Sequence, residues 1–155
     1  MNRRNLLGAA LLGLATVATA QNRTASKPPL MQVWKDPQCG CCGDWVRHLQ
    51  SQGFLIQVMD TGNVAARRRL GMPERLGSCH TARIGGYVIE GHVPAADILR
   101  LLREQPDALG LAVPGMPIGS PGMDGPEYKG RRDPYDVLLV LRGGATRVFQ
   151  HYPRH

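Results

Sequence analysis

The sequence predicts an α/β fold, and three observations carry that prediction. Apolar or alternating runs of strand length take turns with amphipathic runs of helix length between residues 30 and 104. Glycine and proline mark their ends, at Pro28-Pro29, Gly53, Gly71, Pro73, Gly85-Gly86 and Pro94. Three of the four cysteines crowd into Cys39-Gly40-Cys41-Cys42, between the first strand-like run and the first helix-like one.

Leu30 to Trp34 alternates and reads as the first strand. A turn through Asp36-Pro37-Gln38 and the cysteines leads to a helix over Asp44 to Gln52, with Trp45, Val46 and Leu49 at helical spacing and Gly53 as its C-terminal stop. Sulfur at a helix N-terminus meets free N–H groups and the positive end of the dipole, which favour thiolate over thiol. Phe54 to Met59 reads as a second strand, and Asn63 can cap a helix running to Leu70. Arg67-Arg68-Arg69 then reads as a solvated helix face. A turn reaches Ser78-Cys79-His80-Thr81, and the runs Ala82–Ile84 and Tyr87–Glu90 flank Gly85-Gly86 as a hairpin. Pro94 opens a helix over Ala95 to Glu104, with Ile98, Leu101 and Leu102 on one face.

That order of strand, cysteine turn, helix, strand, helix, hairpin and helix is thioredoxin-like, and Cys39-x-x-Cys42 falls where such a fold keeps its redox pair. There the loop entering the hairpin packs on the cysteine turn, which would deliver Cys79 and His80 to the same place. The proline expected in that loop is missing here. Gly110 to Pro134 shows nothing regular, and Asp136–Leu141 with Ala145–Tyr152 forms a terminal hairpin. The chain thus divides into a thioredoxin-like domain over 30–109 and a loop and β-hairpin extension over 110–155.

Ahead of both stands a targeting segment. Arg3-Arg4 precedes an uncharged apolar run from Leu6 to Val17, and Ala18-Thr19-Ala20 supplies the small-x-small pattern of a cleavage site. The run is too short to span a bilayer. Residues 1–20 are expected as a signal peptide for export to the periplasm, by the general or the twin-arginine route, and 21–29 as a linker. Losing two arginines lowers the formal charge from +7 to +5. This modest basicity with few aromatics argues against nucleic acid, and no membrane contact is expected after cleavage. A monomer is expected.

Sulfur concentrated in one turn argues against a framework of structural disulfides, which spreads its cysteines. At most one bridge could form within the turn, plus one to Cys79. Thiolate and thioether donors favour Cu(I), and imidazole adds tolerance for Cu(II). The candidate metal set is therefore Cys39, Cys41, Cys42, Cys79 and His80, with Met116 and Met123 from the Gly/Pro-rich stretch. His92, in Gly91-His92-Val93-Pro94, could point inward as a further ligand or close the turn. His48 reads as surface, and His151 and His155 as tail. Copper is favoured over zinc, because positions 39, 41 and 42 lack the paired knuckles of structural zinc sites. Two alternatives stay open: a metal-free thiol–disulfide oxidoreductase with Cys39 as nucleophile and Cys42 as resolving thiol, and a passive copper- or zinc-binding module.

Cys39-Gly40-Cys41-Cys42-Gly43, Ser78-Cys79-His80-Thr81, Tyr87 to Pro94 and Gly115-Met116-Pro117-x-Gly119-Ser120-Pro121-Gly122-Met123 together resemble the CopG-like copper-resistance proteins. The resemblance spans nearly all of the chain after residue 20. It implies an exported thioredoxin-like domain whose extension, here from Leu111 onward, helps bind metal. It further implies a cysteine-bridged copper cluster at Cys39, Cys41 and Cys42, and a role as a copper oxidoreductase interconverting Cu(I) and Cu(II) during detoxification. The expected partners are copper ions, with periplasmic copper chaperones or efflux components as the proteins to exchange them.

Overall fold

The structure, a computed structural model, describes residues 29–154. The expected signal peptide, and all of the expected linker except Pro29, lie outside the described residues. The elements are β1 (Met31–Lys35), α1 (Gly40–Ser51), β2 (Ile56–Met59), α2 (Val64–Arg69), β3 (His80–Ile84), β4 (Tyr87–Glu90), α3 (Ala95–Glu104), β5 (Gly110–Ala112), β6 (Tyr135–Val140) and β7 (Thr146–Tyr152).

The seven strands form one sheet in the order β2-β1-β3-β4-β5-β6-β7. β1 pairs β2 and β4 pairs β5 in parallel, and the remaining neighbours are antiparallel. Because successive side chains on a strand face opposite ways, β4, β5 and β6 each feed two cores. Ile89, Leu111, Val137 and Leu139 pack with Trp45 and Leu49 of α1 and Ile98 and Leu101 of α3. Their neighbours Val88, Ala112 and Val140 pack instead with Met72 and Leu76 from the segment after α2. The result is a three-layer α/β arrangement. Each large apolar side chain fully buried this way stabilises the fold by about 1.5–3 kcal/mol.

α1 begins at Gly40, four residues earlier than the apolar spacing suggests, so Cys41 and Cys42 lie in its first turn. Its buried stripe is Cys42, Trp45, Val46 and Leu49, one face of a helix. Gly53 follows its end with φ of 86°, the left-handed conformation that suits glycine. Asn63 precedes α2 without capping it; its amide donates to the Ser78 carbonyl at 3.1 Å and to the Thr81 hydroxyl at 3.3 Å. Arg68 and Arg69 are exposed as expected, but Arg67 turns inward to Glu90.

The stretch from Gly110 to Pro134 departs most from expectation. It opens with β5, a buried three-residue strand between β4 and β6, and carries a 3₁₀ turn at Pro126–Tyr128. Gly110-Leu111-Ala112 is too short to show alternation; its partners on both sides define it as a strand. The terminal hairpin is fastened to α3. The Tyr152 hydroxyl donates to Asp97 at 2.7 Å, Tyr135 stacks on Tyr152 at 4.7 Å, and the Arg100 guanidinium lies over Phe149 at 4.1 Å. Among the described residues no helix is long and apolar enough to cross a membrane.

Candidate metal centre

The cysteine turn is shaped by its own backbone. The Asp36 carboxylate accepts the Gln38 N–H at 2.8 Å, and its carbonyl accepts the Cys39 N–H at 3.1 Å. Cys39 then occupies the position just before α1, and its sulfur bonds Cys42 as a disulfide across the first helical turn. Cys42 is fully buried, while Cys39 keeps part of its surface. Cys41 and Cys79 are free thiols. The Cys41 sulfur lies 3.5 Å from that of Cys39 and 3.9 Å from that of Cys79. The loop entering the β3–β4 hairpin thus meets the cysteine turn.

Cys79 is also the corner of a second group. Its sulfur is 3.1 Å from His92 Nε2 and 3.4 Å from His80 Nδ1. All four cysteine sulfurs lie within 4.8 Å of one another, and so do the ligand atoms of Cys79, His80 and His92. His92 points inward and is buried. Its Nδ1–H donates to the Pro121 carbonyl at 2.8 Å, so the neutral ring turns the Nε2 lone pair toward Cys79. His80 lies against Trp45 at 4.1 Å and edge-on to His92 at 5.0 Å. Its buried Nε2 has no hydrogen-bond partner among the described residues. Buried polar atoms are nearly always paired, so this orphan calls for a missing partner.

Burial sets the protonation states. It holds His80 well below the usual imidazole range, with His92 beside it acting in the same direction, and it lowers His92 as well. Both rings therefore stay neutral and keep a lone pair near neutral pH. Burial, then the neighbouring Cys41, pushes the Cys79 thiol up to about 12. A ligand that binds Cys79 must displace its proton, as metal binding to thiols does. Four sulfurs and two neutral imidazoles form a soft donor set, which fits a copper ion once the disulfide is reduced.

The extension closes over this group. Gly122, with φ of 85°, touches α1 so closely that a Cβ there would sit 2.5 Å from the Cys41 carbonyl oxygen and 2.8 Å from the Trp45 nitrogen. The two methionines stand differently. Met116 is 51 % exposed, whereas Met123 is buried and its thioether accepts the Tyr128 hydroxyl at 3.5 Å. His48, expected at the surface, is half-buried, and its Nε2 accepts the Ala95 N–H at 3.4 Å. His151 is exposed beside Asp136. His155 lies outside the described residues.

Sequence reasoning missed the Pro121 carbonyl, because a backbone acceptor has no residue-type signature. It also missed Asn63, Arg67 and Glu90 behind Cys79. Only the inward tilt of one arginine in a triple could have signalled them, and sequence alone does not carry that.

A family model described as a protein of unknown function, DUF411, matches residues 76–123. No curated protein matches. Two solved structures, forms 1 and 2 of copper resistance protein CopG, are each similar with a TM-score of 0.74 and 47% identity. The match covers 81% of this chain, and 98% and 99% of theirs. At that identity over that span, the chain belongs to the family of copper resistance protein CopG.

Proposed function

We propose that this chain is a periplasmic copper-binding protein that interconverts Cu(I) and Cu(II) in copper resistance. The observation that carries the reading is convergence: Cys79, from a stretch distant in sequence, brings its sulfur within 3.9 Å of the Cys41 sulfur. Membership of a family named for copper resistance makes copper the natural occupant. Cys39, Cys41, Cys42 and Cys79 would hold it, with His92 and His80 completing the set and the extension, including the loop of Met116 and Met123, covering it. Bound copper supplies a one-electron redox couple. The chain's own residues bind it through displaced thiol protons, orient His92 through Pro121, and exclude water with Trp45 and Gly122.

A second reading has an observation of its own. Cys39 and Cys42 are joined as a disulfide with Cys39 the more accessible sulfur, as a metal-free thiol–disulfide oxidoreductase would have them. In both readings the thioredoxin-like domain displays the cysteine turn, and residues 1–20 direct export.

Anaerobic Cu(I) titration of the reduced chain from Gln21 separates the two. The copper reading expects several ions retained against a mild chelator, a visible spectrum that changes reversibly on oxidation, and affinity lowered at least about tenfold by Cys79→Ser. Disulfide exchange that survives Cys41→Ser and Cys79→Ser, with no copper retained, would establish the other reading.

A further inference from the structure

We propose that Glu90 and Arg67 are positioning residues for Cys79, a buried ion pair that grips the backbone beside it. The inference rests on the reading above for its consequence in copper binding, but its geometry stands apart from any metal.

The first residue of β3 in register with β1 is His80, opposite Lys35. Cys79 stands one position beyond that ladder, so sheet hydrogen bonds do not fix it. The preceding residue is fixed instead. Glu90 Oε1 accepts the Ser78 N–H at 2.8 Å, and the Ser78 carbonyl accepts Arg67 Nη2 at 2.5 Å and the Asn63 amide at 3.1 Å. Both backbone polar groups of Ser78 are thus held by side chains. The clamp is braced within itself: Arg67 Nε donates to Glu90 Oε1 at 2.8 Å, and the Thr81 hydroxyl donates to Glu90 Oε2 at 2.6 Å. Glu90 is 0 % exposed and Arg67 13 %.

Stability alone does not explain such a pair. Apolar residues of similar volume often hold a fold as well as a buried ion pair, or better. They could not accept from the N–H of Ser78 and donate to its carbonyl at once. Gly91, lacking a side chain, lets Ser78 pack close against the end of β4, since a Cβ there would lie 2.6 Å from the Ser78 Cβ. The pair aims the Cys79 sulfur at Cys41 and at His92.

The test reads the Cys41 to Cys79 approach without copper. In a Cys39→Ser/Cys42→Ser chain only these two thiols remain. Diamide oxidises them to one disulfide, taking up two electrons and two protons to become the hydrazine, and peptide mapping follows the rate. Arg67→Met/Glu90→Gln should slow closure by about tenfold, because misplacement of reacting groups by an ångström has effects of that order or larger. Arg67→Lys, which can pair Glu90 but cannot also reach the Ser78 carbonyl, should fall between; it decides the matter if the double variant fails to fold. Tyr152→Phe, destabilising at α3, should close at the parental rate, which separates positioning from loss of stability. Parental closure rates in both clamp variants would overturn the proposal. Copper retention by the corresponding four-cysteine chains is measured alongside. Slowed closure in a chain that never holds copper leaves the clamp standing and sinks the copper reading, whereas unchanged closure with copper held sinks the clamp alone.

Discussion

Two segments meet at the candidate metal centre, and they contribute different things. The cysteine turn, residues 36–42, supplies donor atoms: three sulfurs in four positions at the start of α1. The loop over 113–134 supplies constraint. Its Pro121 carbonyl fixes one imidazole, and its Gly122 presses on the helix that carries the cysteines. It is itself tied down, with Val113 N–H on the Glu90 carbonyl at 2.9 Å and Asp133 N–H on the Ile118 carbonyl at 2.8 Å. A donor is legible from its residue type; a constraint exists only once the chain has folded.

The sharpest way to break this division is at Gly122. Any Cβ there meets the Cys41 carbonyl and demands a left-handed conformation as well. Gly122→Ala should lower unfolding free energy by about 3 kcal/mol in chemical denaturation, the sum of a strained backbone and an overpacked contact. If stability is unchanged, the loop does not bear on the cysteine helix.

The two histidines sharpen the comparison, since the loop holds one and not the other. His92→Phe strands the Pro121 carbonyl, and should destabilise the metal-free chain by about 2 kcal/mol. His80→Phe removes an unpaired buried nitrogen while keeping the ring against Trp45, and should stabilise the metal-free chain by about 1 kcal/mol. Both are read by denaturant titration at pH 7. Equal signs would mean that the loop carbonyl does not distinguish the rings.

A finer test uses pH. Burial holds the folded-state pKa of His80 below its ordinary 6.5. As pH falls through that value the unfolded chain takes up a proton that the fold refuses, so stability present at neutral pH is lost toward acid. Comparing the metal-free parent with His80→Phe between pH 6.5 and 5.5 should isolate a loss of about 1 kcal/mol. Parallel pH profiles would show that His80 titrates freely in the fold.

Much of this architecture could be read from the chain alone. Local patterns placed β1, α1, β2, α2, β3, β4 and α3 in order, because each has its own apolar spacing and glycine or proline stop. The meeting of Cys79 with the cysteine turn followed from that order. What escaped was non-local. β5 has no pattern of its own, and the ordered loop owes its shape to contacts with α1, β4 and Ser78 rather than to periodicity. Arg67 looked like its two neighbours, yet a single turn of α2 sends it inward while they face water.

The position of β5 also bears on how the molecule is made. β4 lies in the interior of the sheet only because β5 and the terminal hairpin arrive to cover its far side. A nascent chain that has reached only residue 109 presents that strand as an open, apolar edge, the kind that invites pairing with another molecule. His92, whose ring is held by the Pro121 carbonyl, therefore gains its fixed orientation only after nearly the whole polypeptide has been synthesised.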